Sequence, residues 1–417
     1  MKKVLMISYN YPPISDVGTI RNLKFSKYLL EYGWNPHVLT IKNPDRFYTS
    51  TGEEQIPAHV CVYRAWNIIN NLSVIEGGLR KLKICSRFII PDAYVGWIPD
   101  AIRLGRKIIK NEGIDIIYVS SPPHSSSLIA MKLSELTGIP FILDLRDAWT
   151  ENPYSGEYLT KILKNIDQAL EKKVFISADY IITATDGIQT DYQNKYLLNN
   201  ICTIFNGFDL ADIPETYATH DCFTITYTGF FYGVRTPEML FAALRKIIKN
   251  NIIPKSELQF LWAGRKAPHI FKLADMYEIR DIINYVGLIS KNEADNLLYM
   301  SDLLFFVIGS TEQISQNNTL TGKLFPYLAS GTPILAVIPD GDAKKLIEQY
   351  SDNSYIITSG NIDDIVEAIV DGYIKWKSGF HIQRSDNKVK EFRKEYNYRA
   401  LTEKLARIFD LVSAGNK

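Results

Sequence analysis

Two basic residues stand where a predicted strand gives way to a predicted helix, and both could bind an anion. Arg235 follows the strand-like run 225–228 and a loop that contains Gly229 and Gly233. The N–H groups and positive dipole at a helix start attract phosphate, and a guanidinium adds a bidentate fork. An ordinary strand-to-helix turn with a solvated arginine is the competing interpretation. We expect Thr236 to cap the helix and Pro237 to open it.

Lys323 is the second cation, in the sequence Thr321-Gly322-Lys323-Leu324-Phe325. We predict that it lies in the first turn of a helix, where the helix dipole disfavours a positive charge. A lysine at such a position makes better sense if an anion binds beside it. We therefore interpret Lys323 as a functional residue.

The first half of the chain has its own candidates at predicted strand ends, namely Gly18, His124, Arg146 and Asp147. Each is ambiguous by itself. His124 could bind a ligand, or it could cap a helix or be a buried core histidine. Arg146 could face a ligand, or it could pair internally with Asp144 and hold the loop.

The elements that must position these residues alternate as strand, helix and strand through both halves of the chain. Such alternation predicts parallel sheets with right-handed crossovers. We expect an α/β fold of two Rossmann-like domains that face each other across a cleft, residues 1–212 and 221–387. A helical tail, residues 388–417, is expected to pack back on the first domain. The loop ending at Gly18 lacks the GxGxxG pattern, so a dinucleotide is not indicated.

Composition excludes several classes of protein. The 417 residues contain 47 lysines and arginines against 46 aspartates and glutamates, so no overall field favours nucleic acid. The four cysteines, Cys61, Cys85, Cys202 and Cys222, are widely spaced and predict reduced thiols rather than a zinc site or disulfides.

The N-terminus reads as a first strand rather than a signal peptide, and no apolar run reaches the roughly 20 residues that span a bilayer. We expect a cytoplasmic protein. Catalytic motifs such as GxSxG, HExxH and the P-loop are absent from the sequence. Asp340-Gly341-Asp342 imitates a metal-binding DxD motif, but we interpret Asp342 as a helix cap and predict no metal site.

Residues 80–110 mix basic side chains with apolar and aromatic ones. The basic residues are Arg80, Lys81, Lys83, Arg87, Arg103, Arg106, Lys107 and Lys110. This composition suits contact with anionic lipid or a lipid-linked phosphate. A solvated basic face over core contacts is the alternative.

Short motifs follow one another in order along nearly the whole chain. They are Tyr11-Pro12-Pro13…Gly18…Arg21, Pro91-Asp92…Gly96-Trp97, Ser121-Pro122-Pro123-His124-Ser125, Asp144-Leu145-Arg146-Asp147-Ala148-Trp149, Asn206-Gly207-Phe208-Asp209, Thr228-Gly229…Gly233-Val234-Arg235-Thr236-Pro237-Glu238, Val286-Gly287 and Thr321-Gly322-Lys323-Leu324-Phe325-Pro326-Tyr327-Leu328-Ala329. Together they resemble the family-4 glycosyltransferases of bacterial surface-polysaccharide synthesis, which have the GT-B fold. The set is specific, whereas no single member is.

The resemblance implies a retaining, metal-independent enzyme without a cofactor, at the cytoplasmic membrane face. Its substrates would be a UDP- or GDP-linked sugar and a lipid-linked glycan acceptor of capsule or O-antigen type. By position, Arg235 and Lys323 would hold the diphosphate, and His124 would contact the donor sugar. These three are the expected catalytic residues. Gly18 would let the first-domain loop approach the diphosphate. The other donor-site positions are Gly229, Val286, Gly287, Thr321, Gly322 and Leu324, with Val286 and Gly287 bordering the base.

One departure from the family is informative. The family usually has a ribose-binding glutamate where this chain has Pro326, and often a partner glutamate where it has Asn318. Neither can act as a carboxylate, so ribose contacts must come from elsewhere, with Glu312 nearby in sequence. The alternatives are a sugar-nucleotide epimerase of the same fold and a catalytically weakened nucleotide-sugar-binding paralogue.

Overall fold

The computed structural model describes residues 1–14, 17–43, 56–69, 88–152, 157–216, 218, 220–309, 320–379 and 386–415. Arg80, Lys81, Lys83, Cys85, Arg87, Glu312 and Asn318 lie outside these residues. Contacts divide the chain into two compact units, Met1–Asn206 with Tyr398–Lys417, and Gly207–Asn397.

Thirteen strands are described. They are β1 (Lys2–Ile7), β2 (Trp34–Ile41), β3 (Cys61–Ala65), β4 (Ile116–Ser121), β5 (Phe141–Leu145), β6 (Tyr180–Thr183), β7 (Ile201–Thr203), β8 (Phe223–Thr228), β9 (Leu258–Ala263), β10 (Ile283–Gly287), β11 (Leu303–Val307), β12 (Ile334–Val337) and β13 (Tyr355–Ile357).

The described α-helices also number thirteen. They are α1 (Val17–Tyr28), α2 (Ile98–Glu112), α3 (Ser125–Thr137), α4 (Lys161–Ser177), α5 (Asp186–Tyr196), α6 (Glu238–Lys249), α7 (Pro268–Met276), α8 (Lys291–Met300), α9 (Leu324–Ser330), α10 (Asp342–Tyr350), α11 (Ile362–Lys377), α12 (Asn387–Tyr396) and α13 (Tyr398–Gly415).

Each unit contains one sheet, and every strand pair in it is parallel. The first sheet has the order β3-β2-β1-β4-β5-β6-β7, and the second has β10-β9-β8-β11-β12-β13. Both orders reverse direction once, between β1 and β4 and between β8 and β11, as in a doubly wound Rossmann sheet. The predicted pair of Rossmann-like domains is therefore confirmed.

The central strands β4 and β5 of the first sheet are buried on both faces, and most of β1 is buried as well. Successive residues of β1 alternate between two cores: Leu5 and Ile7 pack with α2 and α3, whereas Val4 and Met6 pack with α1 and α13. A single strand thus anchors helices on both faces.

The C-terminal tail is shared between the units. Phe392 of α12 packs against Phe325 and Tyr350 in the second unit. Phe409 of α13 packs edge-on against Trp34 in the first unit, with ring centroids 5.2 Å apart. The expected packing of the C-terminal helix on the first domain is confirmed for α13, whereas α12 belongs to the second unit because its aromatic face fills that unit's core.

Three helix starts differ by a residue or so from the predictions. The helix after Arg235 begins at Glu238, whose N–H donates to Thr236 Oγ1 at 3.3 Å, and Pro237 precedes it. Asp342 is the first residue of α10 instead of its cap, and it accepts a hydrogen bond from Lys345. Lys323 immediately precedes α9, which has only seven residues. Within the described residues, no helix combines the length and apolarity needed to cross a bilayer.

Candidate functional site

The predicted site residues gather where each sheet reverses its strand order. Open parallel sheets bind ligands outside the carboxyl ends of their strands at this switch point. In the first unit Gly18 follows β1 and His124 follows β4; in the second unit Gly229 follows β8, and Lys323 lies beyond β11. The topology therefore groups residues that are far apart in sequence.

The backbone at the second switch point is tightly packed around Gly229. This residue has φ +132°, a conformation that favours glycine, and its N–H donates to the Ala263 carbonyl at 2.8 Å. A Cβ at Gly229 would lie 2.6 Å from Lys323 Nζ, and one at Gly264 would overlap the Gly229 carbonyl. Glycine is favoured at residue 229 by its positive φ and at residue 264 because a Cβ would overlap a backbone carbonyl.

Lys323 is held by an aromatic residue of β8. Its Nζ donates to the Tyr227 hydroxyl at 2.8 Å and lies 4.1 Å from the centre of that ring. Burial, with a smaller contribution from the charge of Arg235, lowers the pKa of the Lys323 ammonium to about 7. Among the described residues, no carboxylate pairs with Lys323. A cation in this environment favours an incoming anion.

A neighbouring tyrosine in the same loop contacts Arg235. Its Nη1 donates to the Tyr232 hydroxyl at 2.7 Å, and its guanidinium carbon lies 5.1 Å from the ring centre. Tyr232 is itself half exposed. The positive charge of Arg235 disfavours the charged form of Lys323 and adds to the lowering of its pKa.

Hydrogen bonds hold the segment around Lys323 in place beside strand β8. The Leu324 N–H donates to the Thr321 carbonyl at 3.1 Å, and the Leu324 side chain is fully buried, so only its backbone could face a ligand. The Tyr327 hydroxyl accepts the N–H of Thr228 at 3.0 Å. Pro326 is tolerated because its missing N–H falls in the first turn of α9, where amides lack intrahelical partners.

Val286 and Gly287 lie at the carboxyl end of the outer strand β10. Val286 is 40% exposed, and the Gly287 carbonyl accepts the Gly264 N–H at 2.8 Å. The predicted positions on this sheet, including Gly322 in the turn before Lys323, thus all lie at its carboxyl edge.

At the first switch point, Gly18 lies in the opening turn of α1 against Arg146. A side chain at Gly18 would overlap the Arg146 guanidinium, which also donates from Nη2 to the Pro122 carbonyl. The approach of a helix start to this loop is possible because residue 18 lacks a side chain.

The hypothesis that Asp144 pairs with Arg146 is wrong. Asp144 is fully buried and forms a two-pronged ion pair with Arg21, at 2.9 Å from Nε and 2.8 Å from Nη2. The Tyr118 hydroxyl also donates to Asp144 at 2.6 Å. Sequence proximity favoured Arg146, but Asp144 points inward from β5 toward α1, where Arg21 comes from more than a hundred residues away.

His124 precedes α3 and is buried, although its side chain does not cap the helix. Its Nδ1 shares a hydrogen bond of 2.7 Å with Ser121 Oγ. Its ring lies flat on the fully buried Trp149, with centroids 4.4 Å apart and planes 7° from parallel. Trp149 is not among the candidate residues chosen from the sequence; its place just after a predicted strand was the signal that could have marked it.

The geometry therefore contains a cationic edge in the second unit and an oriented imidazole at the equivalent edge of the first. Lys323 and Arg235 can hold a doubly charged group such as a diphosphate, with phosphate oxygens taking the place now occupied by tyrosine hydroxyls. His124 can donate or accept a hydrogen bond.

Comparison with known proteins points to one family. Residues 21–212 match the sequence model of Glycosyltransferase Family 4. An uncharacterized glycosyltransferase of Haemophilus influenzae is 23% identical over 194 residues, covering 46% of this chain and 51% of the relative. The matched region thus spans about half the length of that curated relative.

Solved structures share the fold over nearly the full chain. Sucrose-phosphate synthase from Thermosynechococcus elongatus has a TM-score of 0.71 at 15% identity, covering 100% of both chains. An S. aureus TarM mutant in complex with fondaparinux, alpha-GlcNAc-glycerol and UDP has a TM-score of 0.64 at 12% identity, covering 98% of this chain and 100% of the other. A putative UDP-N-acetylglucosamine 2-epimerase from Listeria monocytogenes has a lower TM-score of 0.55 at 14% identity, covering 97% and 95%.

These structural likenesses concern the fold alone, whereas the family match rests on sequence. It covers much of the first unit, from Arg21 of α1 past the His124 loop and the strand that ends beside Arg146. The predicted resemblance is confirmed by this match: residues 21–212 are similar to glycosyltransferase family 4.

Proposed function

We propose that this chain is a retaining, metal-independent glycosyltransferase that moves a sugar from a nucleoside-diphosphate donor to a lipid-linked glycan acceptor of a cell-surface polysaccharide. The observation that carries the proposal is the pair Lys323 and Arg235, which tyrosine hydroxyls hold at the switch point of the second unit. An ammonium and a guanidinium at one sheet edge suit a diphosphate, because each can bind phosphate oxygens.

The chemistry follows from the charge of the leaving group. Negative charge develops on the diphosphate as the bond to the sugar breaks, and fixed cations stabilise that charge at the transition state. Because burial lowers the pKa of Lys323 to about 7, the arriving diphosphate would draw a proton onto it. In this proposal Gly229 and Gly264 let the phosphates reach the cations, and Val286 borders the base. His124, in the first unit, orients a sugar substrate.

Contact with a membrane surface is supported by exposed apolar and basic side chains of the first unit. Trp66, Ile68 and Ile69 are each about half exposed or more. The Ile68 N–H donates to the Gly96 carbonyl at 3.0 Å, so this apolar group lies near the start of α2. That helix presents Arg103, Arg106, Lys107 and Lys110 to solvent. Basic residues beside exposed apolar ones bind anionic bilayers.

Vesicle sedimentation tests the membrane contact. We expect the chain to sediment with phosphatidylglycerol vesicles and to remain in solution with phosphatidylcholine vesicles. A Trp66→Ser, Ile68→Ser variant should lose this binding without a change in thermal unfolding. Equal sedimentation of that variant and the wild type would contradict the proposed surface.

Donor chemistry is tested first by thermal shift with a panel of UDP- and GDP-sugars, because a ligand at about 100 times its Kd adds roughly 2.7 kcal/mol to the free energy of unfolding. The donor that binds is then incubated with and without membrane lipids, and the products are separated. Acceptor-dependent transfer with retained anomeric configuration supports the proposal. Acceptor-independent isomerisation would instead indicate an epimerase, and binding without hydrolysis or transfer would indicate a nucleotide-sugar-binding paralogue.

A further inference from the structure

Trp149, on which His124 lies, is held in place by two buried acidic residues of α4 that no part of the proposed chemistry uses. The indole Nε1–H donates to Asp167 Oδ1 at 2.9 Å, and the Tyr158 hydroxyl donates to the other oxygen of that carboxylate at 2.7 Å. Trp149 and Asp167 are both fully buried. The ring plane of the tryptophan is therefore fixed by a charge-assisted hydrogen bond at its far edge.

Glu171, one helical turn further along α4, fixes the backbone of the same loop. Its carboxylate accepts from the N–H and the hydroxyl of Thr150, at 2.8 and 2.9 Å, and from Tyr192 at 3.0 Å. Burial alone raises the pKa of Glu171, but hydrogen bonds from Lys195, Tyr196 and Thr150 outweigh it and leave the pKa below its usual value. Burying a charged carboxylate costs free energy, which the five hydrogen bonds that Glu171 accepts offset. The buried charge orders residues 149 and 150.

We propose that Trp149, held by Asp167 and Glu171, is a positioning residue that sets the ring plane of His124 for contact with a sugar substrate. Three observations converge on this function: the parallel stack of the two rings, the hydrogen bond at the far edge of the indole, and the clamp on the following residue. Any buried indole N–H needs an acceptor, but a neutral carbonyl would satisfy it, whereas here the acceptor is a buried carboxylate that orients the ring more strongly. The inference rests on the proposed glycosyltransferase function for the part His124 plays.

The decisive variant is Trp149→Phe, which keeps an aromatic ring but removes the N–H that Asp167 accepts. Tyr158→Phe is its matched control, because it removes the other hydrogen bond to the same carboxylate without touching Trp149. We expect Trp149→Phe to lower kcat about 10-fold, as misplacement of a contacting group does, with the donor KM within about twofold of wild type. Tyr158→Phe should have a much smaller effect on kcat. Equal losses in the two variants would overturn the proposal, since the carboxylate alone would then be responsible.

A double-mutant cycle tests whether Trp149 acts through His124. Once His124→Ala has been made, adding Trp149→Phe should lower kcat little further, whereas additive losses would overturn the proposal. Should Trp149→Phe fail to fold in a thermal scan, Asp167→Ala replaces it, since that variant frees the indole while leaving it in the core.

Proton NMR of the six histidines gives a readout independent of turnover. The ring current of a stacked indole displaces the carbon-bound protons of His124 upfield, and His124→Ala assigns these resonances by their loss. We expect the displacement to shrink in Trp149→Phe and to persist in Tyr158→Phe. A wild type that shows this pattern but turns over no sugar nucleotide would overturn the proposed function while supporting the positioning of His124; unchanged His124 resonances in Trp149→Phe would overturn the positioning itself.

Discussion

The two switch points have the same topology, but their cations have different partners. In the first unit, Arg21 lies beneath the sheet edge and is neutralised by Asp144, with both side chains inaccessible to solvent. In the second, Lys323 rests on a tyrosine, and burial lowers its pKa instead of a carboxylate raising it. An internal anion makes a cation structural, whereas a neutral hydroxyl leaves its charge available to a ligand.

A second lysine in the same unit sharpens this contrast. Lys291 also opens a helix, α8, but it pairs with Asp212 and, at 2.6 Å, with Asp295. Burial alone would lower the pKa of Lys291, yet the two carboxylates raise it above its usual value. Two lysines at helix starts therefore differ in whether an internal carboxylate neutralises their charge.

The largest expected effect is on stability, from Arg21→Ala. The substitution leaves Asp144 buried with its charge uncompensated, which costs about 3–5 kcal/mol. Denaturant unfolding followed by fluorescence measures the loss. The control is Arg399→Ala, because Arg399 pairs with Glu31 on the surface and such pairs contribute about 1 kcal/mol or less. Similar losses in the two variants would contradict the structural role of Arg21.

Lys323→Ala and Arg235→Ala should instead reduce turnover. Each removes a charge that stabilises the leaving diphosphate, so we expect kcat to fall at least about 10²-fold, equivalent to about 2.7 kcal/mol. Both purified variants should still unfold cooperatively in a thermal scan, so that the loss of turnover reflects the missing charge rather than a missing fold. Wild-type turnover in either purified variant would refute its assignment, and Lys291→Ala should remain active below its unfolding temperature.

The pH dependence of donor binding is the next largest effect. Above pH 7 the free site holds mostly neutral Lys323, and a bound diphosphate favours the charged form, so binding should take up about one proton at pH 8. Affinity should fall by up to about tenfold per pH unit above 7. Calorimetry in two buffers of different ionisation enthalpy measures the uptake, which Lys323→Met should abolish.

The lowered pKa of Lys323 also makes the stability of the free protein depend on pH. Stability should rise with pH, whereas donor affinity should fall. The pKa of Lys323 is lower in the folded chain than in the unfolded one, so between pH 7 and the unfolded value the unfolded chain binds more protons. The penalty for a buried charge is therefore present in full below pH 7 and disappears as pH rises. In the absence of donor, Lys323→Met should be more stable than the wild type at pH 6, and the difference should narrow by pH 9.

Tyr232→Phe should give the smallest effect. It keeps the ring beside Arg235 but removes the hydroxyl that accepts from Nη1, a hydrogen bond that contributes about 0.5–1.5 kcal/mol. We expect donor affinity to weaken by a few-fold or, if the hydroxyl competes with phosphate, to strengthen by a similar factor. Binding isotherms decide the sign, and a loss as large as that of Arg235→Ala would show that Tyr232 does more than hold the guanidinium.

The sequence by itself determined the alternation of strands and helices, the two Rossmann-like units and the candidate residues at strand ends. These features are local: apolar runs of strand length, glycines at turns and helix-start residues act over a few positions, and parallel topology then brings strand ends to one edge. That is why Gly18, His124, Gly229 and Lys323 could be chosen from spacing alone.

Only the tertiary structure decided which groups face which. Asp144 forms its ion pair with Arg21 and not with the nearby Arg146. The ring of His124 stacks on Trp149, and Lys323 donates a hydrogen bond to a tyrosine hydroxyl rather than to an acid. Partners such as these come from elements remote in sequence, and their pairing depends on which way each side chain leaves its strand or helix. The charge of a lysine is encoded in one residue, but whether that charge is available to a ligand depends on neighbours that only the folded chain assembles.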